Sequence, residues 1–204
     1  ICAGGVLMVA LQKRHPLFHP VIELPAEYAV FDLTKHVPEE EVARFRYGVG
    51  RYDERRSGTY QTALFAEGRD VHVGVDLFAP VGTPVHAFED GKVHLFAYNA
   101  APGDYGYTLI TEHRYGGLSL YALHGHLSAR SIEGKVPGQP IRKGEVIAWV
   151  GDRQENGGWI PHLHFQLSYE RPGKPDLPGV VAEADRAWAL LRFPDPRLVL
   201  GQIY

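Results

Sequence analysis

Residues 71–78 read Val71-His72-Val73-Gly74-Val75-Asp76-Leu77-Phe78. Val71, Val73, Val75 and Leu77 alternate with His72, Gly74, Asp76 and Phe78, a period of two that marks a β-strand with one face in a core. The texture continues downstream. Short strands are expected over 84–88 and 92–97, separated by the turn Glu89-Asp90-Gly91. Two more, over 107–112 and 118–123, flank Tyr115-Gly116-Gly117 as a hairpin, and 146–150 and 162–168 complete the set. Many short strands with Gly and Pro turns imply a mainly β fold, a compact antiparallel β-sandwich or half-barrel. A faint internal echo, Gly82-Thr83-Pro84-Val85 and Gly138-Gln139-Pro140-Ile141, leads into a strand each time.

The flanks read differently. Residues 12–45 carry His15-Pro16, His19-Pro20, Leu24-Pro25 and Val37-Pro38, and prolines this frequent break regular structure. Residues 1–45 are therefore taken as an irregular N-terminal segment lying over a β domain of residues 46–204. A short helix over 39–46 is expected after Pro38, and a loop or short hairpin over 48–60. The tail at 180–204 changes character: residues 181–192 read as one amphipathic helix ended by Pro194 and Pro196, with Trp188 as a packing residue. Val199, Leu200 and Ile203 are expected to tuck against the body.

With 204 residues, 45% hydrophobic and 22% charged, the chain can build a core of normal size without a metal or a disulfide to hold it. The net charge of −3 and the lack of a basic stripe argue against a nucleic-acid partner. The mixed run from Arg51 to Arg56 is read as solvated surface. Cys2 is the single cysteine, so no internal disulfide can form, and the compartment is left open. Residues 1–11 are apolar but too short to span a bilayer, and no signal peptide is recognised. Met8, the only methionine, is taken as a natural start with residues 1–7 foreign to it; the alternative is a fragment of something longer.

Five of the eleven histidines fall in three short stretches: His72, the pair in His124-Gly125-His126, and the pair in His162-Leu163-His164. Imidazoles with one carboxylate, Asp76, form the ligand set of a catalytic zinc site. On a strand, residues i and i+2 share a face with Cα atoms about 6.5–7 Å apart, so His162 and His164 project together while Leu163 and Phe165 enter the core. Both could bind one metal, or one could bind while the other reaches a metal-bound water; spacing leaves this open. His124 and His126 also share a face if their segment is extended. His72 and Asp76 lie about 13 Å apart on a flat strand, too far for one ion. They converge only if the strand bends, and Gly74 between them marks the place. His15, His19, His36, His86, His94 and His113 are read as surface or hydrogen-bonded residues.

The stretches His72-Val73-Gly74-Val75-Asp76, Gly125-His126-Leu127-Ser128 and His162-Leu163-His164-Phe165 resemble, in order and spacing, the three motifs of the LytM/lysostaphin-type zinc endopeptidases. Ala79 to Val85, Asp90-Gly91-Lys92-Val93 and Lys143 to Ala148 resemble that family too, so the likeness covers about residues 70–170. It implies a β fold with a loop-walled groove, the loops here being 99–106 and 152–161. It implies one zinc ion on His72, Asp76 and His164, with His126 and His162 as catalytic histidines that do not bind it. Three ligands leave a position for water, as a catalytic site requires. The implied partner is a peptide or peptidoglycan stem or cross-bridge, with no membrane span.

One position departs from the family pattern. A tyrosine often stands two residues before the histidine matched by His126; here His124 stands there and the tyrosine is Tyr121. His124 is thus either a polar wall of the site or a surface residue. The stretches around Phe18 to Val21, Gly50 to Glu54, Glu155 to Trp159 and Pro196 to Gly201 resemble metallopeptidase-like domains set between kinase-like and aminotransferase-like domains in larger chains, which leaves an intracellular substrate open. Two rival readings are a non-lytic peptide-binding module, although no ligand is lost, and a sugar-transport phosphocarrier, which leaves His72 and Asp76 without a shared role.

Overall fold

The structure, a computed structural model, describes residues 6–11, 15, 17–56 and 68–204, with the backbone alone for 6–9 and 11. The expectations for residues 1–5 and for the 57–60 part of the loop lie outside the described residues. In chain order the strands are β1 (Val6–Leu11), β2 (Glu27–Phe31), β3 (Gly48–Gly50), β4 (Glu54–Arg55), β5 (Arg69–His72), β6 (Val75–Phe78), β7 (Pro84–His86), β8 (Gly91–Asn99), β9 (Gly106–Tyr115), β10 (Leu118–Leu127), β11 (Pro140–Ile141), β12 (Val146–Trp149), β13 (His162–Ser168) and β14 (Val180–Ala182). Among the described residues the α-helices are α1 (Glu39–Val42), α2 (Arg186–Arg192) and α3 (Arg197–Leu200).

The fold is mainly β. Nine strands form one sheet in the order β1-β2-β3-β6-β13-β10-β9-β8-β11, beside a pair β12-β7 and a trio β14-β5-β4. Among the described residues every strand pairing is antiparallel except β2 with β3. The β9–β10 hairpin closes on Gly116-Gly117, with Tyr115 opposite Leu118 and φ of 57° and 84° at the two glycines. A two-residue turn that continues the sheet's twist needs positive φ at both central residues, and glycine adopts it without a Cβ penalty.

The central strands bury both faces. Leu109, Leu120 and Ala122 pack with Val85, Ala87, Ile147 and Leu163, a core shared with the β7–β12 pair. Their sequence neighbours Ile110, Tyr121 and Leu123 pack oppositely, with Val71, Val181, Ala189 and Phe193 from the β4–β5–β14 trio and α2. The alternation of one strand thus serves two cores, and a layered β arrangement follows.

Two expectations change. The N-terminal segment, read as irregular from its prolines, supplies β1 and β2, which pair along Val6 to Leu11 and extend the main sheet through β3. Its prolines sit mainly between these strands, where they interrupt no ladder. The helix expected over 181–192 is shorter: Val180–Ala182 pairs with β5, Glu183–Asp185 forms a 3₁₀ turn, and α2 begins at Arg186. The apolar Val180 and Val181 gain more as strand residues against Val71 and His72 than as a first helical turn. Trp188 is 45% exposed and packs edge-on against Phe193, with Arg192 over its face. Val199 and Ile203 tuck into the core as expected. Among the described residues, no helix is long and apolar enough to cross a membrane.

Leu163, fully buried between His162 and His164, anchors β13 in the larger core. Leu163→Ala is expected to cost about 2–5 kcal/mol through lost contacts and a residual cavity, read as a lower urea midpoint.

Candidate metal centre

A straight strand cannot bring His72 to Asp76, and the chain does not make one. The ladder breaks at Val73-Gly74, between β5 and β6, and the two strands enter different sheets. His72 Nε2 comes to 3.2 Å from Asp76 Oδ1 across that bend. Gly74 is required for space rather than for dihedral freedom, because its φ lies outside the left-handed region. A Cβ there would lie 2.5 Å from His164 Cε1 and 3.1 Å from the Phe165 carbonyl oxygen.

The third group arrives by register. β13 pairs with β6 so that His164 stands opposite Asp76 and Leu163 opposite Leu77. His164 Nδ1 is then 3.1 Å from Asp76 Oδ1 and 3.0 Å from His72 Nε2. One ligand atom from each of the three lies within 4.8 Å of the others, and all three residues are buried.

Hydrogen bonds behind the rings assign their protons. A carbonyl only accepts, so His72 Nδ1–H donates to the Arg51 carbonyl at 3.0 Å and leaves Nε2 with its lone pair. Gln166 Nε2 donates to the Pro178 carbonyl, which turns Gln166 Oε1 toward His164. His164 Nε2–H donates to that oxygen at 3.1 Å, leaving Nδ1 with its lone pair. Two imidazole lone pairs and a carboxylate oxygen thus face one point. Without a cation or a shared proton they repel, and a divalent metal satisfies all three. The donor chemistry fits such an ion.

Electrostatics agree. Burial, then the nearby Arg56 guanidinium, push His72 down to about 4, so its imidazole is neutral at neutral pH. Burial alone would raise Asp76; the Arg56 guanidinium, charged at neutral pH and bonded to Oδ2, is among the groups that outweigh it and hold the carboxyl well below its usual range.

His126 and His162 stand beside this cluster with ring centroids 4.3 Å apart. His162 Nδ1–H donates to the Ile160 carbonyl at 2.6 Å and His126 Nδ1–H to the Asn156 carbonyl at 2.8 Å. Each therefore keeps an unprotonated Nε2, and that of His162 lies 3.7 Å from Asp76 Oδ1. Burial pushes both imidazoles below their ordinary value, helped for His126 by His162 and His164. A cleft of about 340 Å³ opens over the five residues. Leu33, Val37 and Val42 from the N-terminal segment form an apolar wall with Phe78 and Ile160, and Tyr105, Lys174 and Asp176 also line the cleft.

The structure separates two residues that spacing had placed together. His126 has φ of 63°, and the β9–β10 register slips between His124 and Leu127. This strained bulge turns His126 into the cleft. His124 stays in the strand, fully buried against Phe165, with Nδ1 bonded to the Leu109 carbonyl. It is neither wall nor surface but a core residue. Gly125 between them lets the Tyr105 ring approach, since a Cβ there would lie 2.6 Å from Cδ1. The run Arg51 to Arg56 is solvated only in part: Arg55 is exposed, but Glu54 and Arg56 are each 3% exposed. Tyr105, whose hydroxyl donates to the Leu177 carbonyl at 3.0 Å and lies 3.5 Å from His164 Nε2, was not foreseen. Gln166 carried a legible signal, standing two residues after His164 on the same strand face.

The sequence profile of peptidase family M23 matches residues 70–175, more than half the chain. The chain belongs to peptidase family M23. The DD-carboxypeptidase/endopeptidase Mpg of Neisseria meningitidis is 40% identical to this M23 chain over 113 residues, 55% of this chain and 23% of that protein. The glycyl-glycine endopeptidase ALE-1 of Staphylococcus capitis is 33% identical over 98 residues, 47% of this chain and 24% of that one. The chain thus spans about a quarter of the length of these relatives. Among solved structures, the catalytic domain of lysostaphin from Staphylococcus simulans aligns with a TM-score of 0.48 at 23% identity, over 81% of this chain and 98% of that one.

Gly74→Ala is expected to force the His164 ring from its place and cost about 1–3 kcal/mol in urea unfolding. Burial also holds His124 down to about 3 and His113 down to about 4. As pH falls below about 6.5 the unfolded chain takes up protons at both while the folded chain does not. Stability is therefore complete above that pH and declines toward pH 4, by roughly 1 kcal/mol per pH unit for each group. His124→Phe is expected to remove one proton's share of that slope in urea titrations across the range.

Proposed function

We propose that this M23 domain is a zinc-dependent endopeptidase that hydrolyses peptide bonds in peptidoglycan stem or cross-bridge peptides. The observation that carries the reading is the convergence of His72 Nε2, Asp76 Oδ1 and His164 Nδ1 beside two neutral histidines in one cleft. In this reading those three atoms hold the ion, and His126 and His162 are the catalytic residues. Two nitrogens and one oxygen suit zinc and leave a position open. Bound there, zinc would polarise the scissile carbonyl and lower the pKa of its water toward neutrality.

The rest of the chemistry falls to the chain. The bare Nε2 atoms of His162 and His126 are proton acceptors at neutral pH, as a general base must be. The proton taken from the attacking water is held on this pair and returned to the leaving amine. The imidazolium so formed would also stabilise a negative charge that develops beside it on the carbonyl oxygen. The carbonyls of Ile160 and Asn156 keep each ring in one tautomer, so the same nitrogen receives and returns the proton. The similarity to a DD-carboxypeptidase/endopeptidase and to a glycyl-glycine endopeptidase supports the substrate class.

His164→Ala is expected to abolish stoichiometric zinc in elemental analysis. His126→Ala is expected to retain zinc and lose about 10²–10⁴-fold in kcat on purified peptidoglycan. A purified chain that takes up no zinc and shows no chelator-sensitive cleavage would overturn the proposal.

A further inference from the structure

We infer that the segment Arg51–Arg56, outside the stretch matched to the family, is a positioning element for the metal ligands, with Arg56 as its central residue. The inference rests on the proposed zinc site. β3 and β4 pair at their ends with the two strands that carry ligands: Gly50 stands opposite Asp76 and Glu54 opposite His72. The turn between them therefore spans the back of the β5–β6 bend. Asp53 in that turn has φ of 55°, and its amide donates to the His72 carbonyl at 2.8 Å.

Two separate contacts then reach the ligands. The Arg51 carbonyl takes the Nδ1 proton of His72. Arg56 Nη1 donates to Asp76 Oδ2 at 2.6 Å, which leaves Oδ1 as the atom facing His72 and His164. Arg56 is itself fixed by Nε to Glu54 Oε2 at 3.1 Å and by Nη2 to the Arg51 carbonyl at 3.3 Å. Glu54 uses its other oxygen on the Leu33 amide and the Arg51 side chain. One hub thus orients two of the three ligands.

The charges follow the same logic. A guanidinium beside a metal-binding carboxylate repels the incoming cation, and buried Glu54 offsets that repulsion. What remains is orientation: Asp76 is held to one rotamer and offers a single oxygen. A planar fork spans Asp76, Glu54 and a carbonyl together, which a lysine ammonium cannot do. Removing such partners of metal ligands lowers metal affinity by about 10–100-fold.

Chelator-competition titrations of zinc and the visible spectrum of the cobalt-loaded chain test this, on wild type and Arg56→Lys, Arg56→Met and Glu54→Gln variants. Arg56→Lys keeps the charge and loses the fork; it is expected to bind zinc about 10–100-fold more weakly, with a shifted cobalt band. Arg56→Met is expected to weaken binding too, although it removes a repulsive charge. Glu54→Gln, which keeps an acceptor for the Leu33 amide, gives a smaller loss of the same sign and serves if the Arg56 variants do not fold. Wild-type zinc affinity and cobalt spectra in all folded variants, or tighter binding in Arg56→Met, would overturn the inference. A wild-type chain that binds no zinc overturns the proposed function itself.

Discussion

Three polar side chains meet inside a β core only because β5 and β6 bend at Val73-Gly74 and β13 lies against that bend in one register. A slip of one residue would turn His164 into the core and Leu163 into the cleft. The buried Leu163, Phe165 and Leu167 prevent the slip, because their burial depends on the same alternation. The missing Cβ of Gly74 then lets the His164 ring close the triangle. Packing and site geometry are thus one constraint: the apolar residues of β13 set where its histidines can be.

Behind the triangle, the protons are placed by groups that cannot give one up. Carbonyls of Arg51, Ile160 and Asn156 and the amide oxygen of Gln166 each take the outward N–H of one histidine. The four inward nitrogens are therefore all bare. Burial keeps three of these rings, His72, His126 and His162, neutral at neutral pH. The result is a cluster of lone pairs around one carboxylate, poor as a protein core and suited to a cation with a proton-transfer pair beside it.

Much of this was legible in the residues. Period two over 71–78 marked the strand, and the His72–Asp76 separation demanded the bend that the structure has. The His-x-His pair on β13 was visible as one face, but register against β6, a long-range property, decides which of the two stands opposite Asp76. Other features left no local trace. His124 and His126 look equivalent until the positive φ of His126 splits them. The run Arg51 to Arg56 has the composition of a surface, and only its pairing with the strands of His72 and Asp76 takes Glu54 and Arg56 inside. Prolines on either side hid β2, while β1 showed only as an apolar run whose partner strand lies beyond them. The loop 99–106 was legible as a wall of the groove, but nothing local singled out Tyr105 within it as the side chain that reaches His164.

The most direct test is anomalous diffraction at the zinc edge from crystals of the zinc-loaded chain. One strong peak within bonding distance of His72 Nε2, Asp76 Oδ1 and His164 Nδ1, with His162 and His126 outside it, is the expected result. A peak bound by His162 in place of His164, or no peak among these residues, would contradict the account.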